Sequence, residues 1–200
     1  QGTERTPAYR GIAYVVFERM ALANFGNRLP QLSFEVARPV DDFQKLLRGV
    51  VLIPGSGEFA YASEAVTRDG FAGERIAENV HTRSAATDIE AAIDKLAAEL
   101  PNVRSVSLVV CWFGTDLRAG HCQILPGVER AAKDSQPLTW RVGDMTRESA
   151  YVVSQMDGRP AYGGTPSDET VIQAIQLGKA RGYQVALTPF ILMDVPQGNF

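Results

Sequence analysis

Residues 185–193, Val-Ala-Leu-Thr-Pro-Phe-Ile-Leu-Met, contain no charged side chain. A strand with one wet face alternates apolar and polar residues, and this run does not, so it reads as a strand covered on both faces of a parallel sheet. A helical pattern leads into it. Thr165 suits an N-cap, Pro166 the first helical position, and Asp168 the positive end of the dipole. Val171, Ile172 and Ile175, with Leu177 at the margin, supply an apolar face, and Gly182 after Lys179 and Arg181 closes the helix. Asp194 then stands at the strand exit, where an α/β domain carries its functional side chains.

The same pattern occurs once earlier. Thr87 and Glu90 have capping-box spacing, Ile89, Ile93, Leu96, Ala97 and Leu100 form the apolar face, and Pro101-Asn102 ends it. Residues 103–111 are the strand, and Trp112-Phe-Gly-Thr-Asp116 its exit. Two such units predict parallel neighbours in one α/β sheet. The connection 115–162 is long, with short strands predicted over 121–125 and 138–142 and either helix or strand over 146–156. Upstream, residues 9–38 are β-rich, 41–48 suggest a short turn or helix, and strands are predicted over 50–53 and 59–66. The shift from β-meander to α/β grammar places a boundary between about 67 and 86.

A net charge of −3 gives no electrostatic footprint for nucleic acid, and no apolar run reaches membrane length. The start at Gln1, with no leader-like core, and the stop just past a strand exit read as a piece of a longer chain. Cys111, Cys122 and His121 match no zinc pattern, and no nucleotide or cofactor motif is present. Cys111 reads as a small core hydrophobe, with a Cys111–Cys122 disulfide left open by the spacing.

Several blocks carry a family resemblance. Residues 9–36 (Tyr-Arg-Gly-Ile-Ala-Tyr-Val-Val-Phe through Ser-Phe-Glu-Val) resemble the hub segment of large phage-tail proteins, including the tail-tip host-specificity protein of gene transfer agents. The block from Ser105 to Gly114, then Arg118-Ala-Gly-His-Cys122, Pro126-Gly-Val-Glu-Arg130, residues 157–168 and Pro189-Phe-Ile-Leu-Met-Asp194 resemble the TIM-barrel-like, glycosidase-like domain of the same proteins. The resemblance implies an α+β then α/β chain: a β-rich hub segment at 1–70, a linker at 71–86, and at 87–200 the first part of a truncated TIM-barrel-like (β/α) domain. It implies a virion protein of the distal tail, assembled in the bacterial cytoplasm without a signal peptide. Its partners would be other tail and baseplate proteins, two further copies in a homotrimer, and envelope polysaccharide, with no cofactor.

On that reading Asp116 and Asp194 are the candidate catalytic carboxylates, because glycoside hydrolysis uses a pair. Trp112 and Tyr162 would offer aromatic walls to a sugar, and His121 a hydrogen-bond donor. The alternative function is an active glycoside hydrolase. Plainer readings stand beside each: Trp112 in the core, Asp194 capping a turn before Pro196, Asp116 bonding its own loop, and His121 in a structural role. Glu129, Arg130, Asp157 and Arg159 read as solvated ion pairs, and Gly163-Gly-Thr165 as capping chemistry.

Overall fold

The computed structural model describes Leu32 and residues 43–195. The β-rich hub expected at 9–38 lies outside the described residues, Leu32 apart. Residues 40–200 form one compact unit.

Helix α1 (Phe43–Leu46) is a single turn before β1 (Gly49–Leu52). The next strands are β2 (Thr67–Asp69) and β3 (Arg75–Ala77), followed by α2 (Asp88–Glu99) and β4 (Ser105–Gly114). The connection after β4 holds seven two-residue strands: β5 (Ile124–Leu125), β6 (Gly127–Val128), β7 (Ser135–Gln136), β8 (Arg141–Val142), β9 (Met145–Thr146), β10 (Tyr151–Val152) and β11 (Gln155–Met156). An eighth, β12 (Arg159–Pro160), hairpins with β11 before α3 (Asp168–Ala180) and β13 (Gln184–Met193).

The central sheet has the order β1-β4-β13, all parallel, with Ser105 opposite both Gly49 and Gln184. The two helix–strand units are therefore neighbours in one sheet, as their pattern predicts. Ile89, Ile93 and Leu96 of α2 and Val171 and Ala174 of α3 are buried against Val106 and Leu108 of β4. Gly178 lets α3 approach β13, since a Cβ there would stand 2.8 Å from Val185. Gly182, at φ +84°, ends α3 in the left-handed conformation expected of it.

The truncated TIM-barrel-like architecture is not what forms. Among the described residues the parallel sheet has three strands, with antiparallel β5 added at the end of β4, and no barrel closes. Closure needs eight strands tilted and staggered together, and the 115–162 connection folds instead into small hairpins and ladders. The free edge of β13 is also blunted. Gln184 and Asp194 donate their N–H groups to the carbonyls of Arg104, just before β4, and Gly114, so the backbone N–H and C=O groups of the odd-numbered residues between them point to the open edge. Pro189 is one of these, and its missing N–H falls on the edge where a further strand would need a donor.

Other expectations change in detail. Residues 59–66, expected as a strand, are a buried turn carrying Phe59, Ala62 and Val66 into a second core with Val128, Trp140 and Val142. Asn79 pins that turn, accepting from Val66 N–H at 2.8 Å and donating to the carbonyls of Ala62 and Glu64 at 3.0 and 2.8 Å. The stretch expected as a linker, 71–86, contains β3, which pairs with β2, while β2 pairs in turn with β7. Ser167, not Thr165, is the N-cap of α3. Thr87 occupies the N-cap position of α2, but the expected capping box does not form, and the Thr87 hydroxyl has no hydrogen-bond partner among the described residues.

Tyr61 continues the sheet where β1 stops. Its hydroxyl accepts from Val109 N–H at 2.9 Å and lies within donor range of the Val109 carbonyl at 2.9 Å and the Leu52 carbonyl at 3.2 Å. Tyr61→Phe leaves that N–H without its acceptor, and the expected loss is about 1–3 kcal/mol in denaturant unfolding. An unchanged midpoint and slope would show that water replaces the hydroxyl at no cost.

Candidate functional site

Parallel strands deliver their C-terminal residues to one rim, and β4 and β13 do so together: Asp194 N–H bonds the Gly114 carbonyl at 2.9 Å. Asp116 lies two residues beyond Gly114, and both carboxylates are buried, at 7% and 3% exposure. The structure thus brings the two candidate acids to the same rim.

Their hydrogen bonds define what they can do. Asp116 Oδ1 accepts from the Arg118 backbone N–H at 2.8 Å and from Nε at 3.0 Å, while Oδ2 accepts from Nη2 at 2.6 Å. That is the fork of a bidentate arginine–carboxylate pair. Asp194 Oδ2 accepts from Tyr151 hydroxyl at 3.0 Å and from Ser154 N–H at 2.7 Å. In each of these bonds the carboxylate oxygen is the acceptor. Burial first, then the Asp194 carboxylate, pushes the Tyr151 hydroxyl up to about 12, so it remains a donor at neutral pH.

The aromatic expectations separate. Successive strand residues face opposite sides of a sheet. Phe113 is fully buried with Tyr151 and Tyr162, ring centroids 6.2 and 5.9 Å away. Tyr162 also reaches the Met193 carbonyl at 3.4 Å and lines an apolar groove of about 380 Å³ with Ile53, Tyr61, Cys111 and Phe190. Trp112 points the other way and packs half-buried against the Phe59 core. Trp112 and Tyr162 therefore do not form one sugar-facing wall. His121 is exposed on the turn from Arg118 to Cys122, where its N–H bonds the Arg118 carbonyl at 2.9 Å. Both cysteines are free, and burial pushes the Cys111 thiol up.

A second constellation was not legible in the sequence. Glu58, fully buried, accepts from Arg147 Nη1 and Nη2 at 2.9 and 2.6 Å and from Glu129 N–H at 2.8 Å. Lys133 Nζ lies 3.0 Å from Glu58, 2.9 Å from Glu78 and 2.6 Å from Glu129. Arg68 adds a bond to Glu78 at 2.7 Å. The three carboxylates are near enough to share one metal ion, and the cation among them is the ammonium of Lys133. Glu129 is therefore part of a buried network, not the solvated pair expected of it. Burial by itself would raise the Glu58 carboxyl, but the Arg147 bond and the charge of Lys133 outweigh it and hold the group below its ordinary value of 4.5. The one sequence signal was an acid set directly against the apolar Phe-Ala-Tyr-Ala run at 59–62.

Residues 163–165 are also more than capping chemistry. Thr165 exchanges bonds with Gly127 at 2.7 and 2.9 Å, and its carbonyl accepts from Trp140 Nε1 at 2.8 Å. A Cβ on Gly164 would stand 2.6 Å from Glu58 Cγ, so this glycine is required by the buried carboxylate beside it. No protein-family model matches the chain, and no curated protein matches it.

Proposed function

We propose that the chain is a structural component of the distal tail of a phage-like particle or gene transfer agent, which contacts envelope polysaccharide without cleaving it. The tail assignment rests on the sequence blocks at 9–36 and 105–194. The observation that carries the non-catalytic part is the bonding of the rim acids. Glycoside hydrolysis needs one carboxyl group that holds a proton for the leaving oxygen and a second that acts as base or nucleophile. Asp116 has both oxygens on Arg118, and the bonds to Asp194 come from a hydroxyl and an N–H. Both rim carboxylates are thus already engaged in bonds within the fold, Asp116 in a two-pronged ion pair.

The expected result is that the purified chain releases no reducing ends from envelope glycans, and that Asp116→Asn and Asp194→Asn bind those glycans as the parent does. Sugar release by the parent, abolished by either substitution, would establish the hydrolase instead. For the tail assignment, an epitope tag on this chain in purified particles is expected at the tail tip by immunogold microscopy. Particles without the tag would overturn it.

A further inference from the structure

We propose that the glycan contact is made not at the strand-exit rim but in a cleft of about 620 Å³ beside β7, β8 and β9, and that it takes a neutral oligosaccharide. This rests on the glycan reading above and gives it a place. The cleft is walled by Asp134, Thr139, Arg141 and Glu148, with Ala131 and Ala132 supplying apolar surface over the buried Trp140.

Three observations lead there. The frame is rigid: Trp140 is 3% exposed and tied through Nε1 to Thr165, and Lys133 and Arg147, which also border the cleft, are held by the Glu58 network. The Thr146–Ser149 turn is closed by reciprocal bonds between its ends. Against that frame, the side chains of Asp134, Thr139 and Arg141 have no hydrogen-bond or ion-pair partner among the described residues. One carboxylate, one hydroxyl and one guanidinium, unpartnered around an open space beside Ala131 and Ala132, form the mixed donor and acceptor set that vicinal hydroxyls match. Charge selects the ligand class. The two other cations at the cleft are already neutralised by Glu58, Glu78 and Glu129, the free Arg141 is offset by the free Asp134, and Glu148 adds a further negative charge. A polyanion finds no net positive field here, whereas a neutral sugar needs none.

The test is titration of the full chain with neutral chito-, cello- and laminari-oligosaccharides of about four to six units, polygalacturonate serving as the anionic comparison. Calorimetry gives the Kd, and amide chemical shifts map the site. Shifts are expected over 131–148, with Kd at least about tenfold weaker in Arg141→Ala and Asp134→Ala, an effect of the size of one charged hydrogen bond. Both side chains are exposed, so thermal midpoints are expected to stay at the parent value, and Thr139→Val is a third variant that keeps volume. Tyr162→Ala at the rim is expected to bind as the parent does. Shifts centred on Tyr162 and Asp194, or parent-like binding by Arg141→Ala, overturn the cleft while leaving the glycan reading intact. Tighter binding of polygalacturonate than of every neutral sugar overturns the ligand class. No binding by any sugar overturns both the cleft and the glycan reading.

Discussion

Replacing Glu58 by Gln is expected to destabilise the unit 40–200 by about 3–5 kcal/mol, the usual cost of removing one partner from a buried ion network. Glu58 is 0% exposed and faces two cations, so the variant leaves Arg147 and Lys133 close together in a site closed to water. For a unit of this size the loss corresponds to roughly 10 °C or more in thermal midpoint. Arg147→Lys is expected to fail nearly as badly, because an ammonium cannot reproduce the two-pronged contact with Oε1 and Oε2. Glu58→Gln and Lys133→Met together are expected to cost less than the sum of the two, since each single change removes one partner of the other's buried charge. Urea unfolding of the four species measures this, and strict additivity would show that the groups act independently.

The network also sets a pH window. The folded Glu58 carboxyl lies below its ordinary 4.5, so its stabilisation is present above that pH and is lost as pH falls through the lower folded value. For Lys133, burial would lower the ammonium, but Glu58 and Glu129 outweigh it and hold the group above 10.5. Its contribution is complete below 10.5 and is lost as pH rises through the higher folded value. Stability from these two groups is therefore flat between about 4.5 and 10.5 and falls outside. In Glu58→Gln the acid limb is expected to become shallower. An unchanged acid limb would assign acid unfolding to other carboxylates.

Phe113→Ala is the second large effect, at about 3–5 kcal/mol for a fully buried aromatic ring. The ring fills the space between Tyr151, Tyr162 and Gly127, where a Cβ on residue 127 would stand 2.5 Å from it. Gly127→Ala therefore overpacks the same volume and is expected to cost about 1–3 kcal/mol alone. Combined with Phe113→Leu, the added methyl enters space the smaller side chain vacates, so the pair should lose less than the two singles summed. Denaturant midpoints for the three variants decide it. A Gly127→Ala protein as stable as the parent would mean that Phe113 retreats freely, and that the rim is softer than its packing implies.

These cases show what was readable in one dimension. Residues 88–99 and 168–180 announce helices because apolar side chains recur every three or four positions, and helix contacts are themselves local. Residues 105–114 and 184–193 announce strands because their apolar runs are long and continuous, and their parallel pairing follows from the helices between them. The two covered faces expected of the second run do not form: Leu187, Phe190 and Ile191 of β13 are 51%, 51% and 48% exposed. The glycine at 182 shows its role from position alone, needing only the backbone conformation of its own residue.

Everything decided by distant partners was hidden. Glu58 meets Arg147 across 89 positions, and nothing near either residue encodes the other. Thr165 has the composition of a cap but is recruited by Gly127 and Trp140, so a local propensity loses to a tertiary bond. Trp112 and Tyr162 share a chemistry and lie near the same strand ends, yet strand alternation puts Trp112 on the opposite face. Sequence alone thus determined the two helix–strand units and their direction, because those depend on spacing along the chain. Tertiary structure alone decided that the sheet stays open, that Asp194 is bonded to Tyr151 and Ser154, and that a buried ammonium sits among three carboxylates, whereas Asp116 bonds its own loop as its local sequence suggests. Those outcomes depend on which distant side chains arrive at the same point, and a linear pattern does not carry that information.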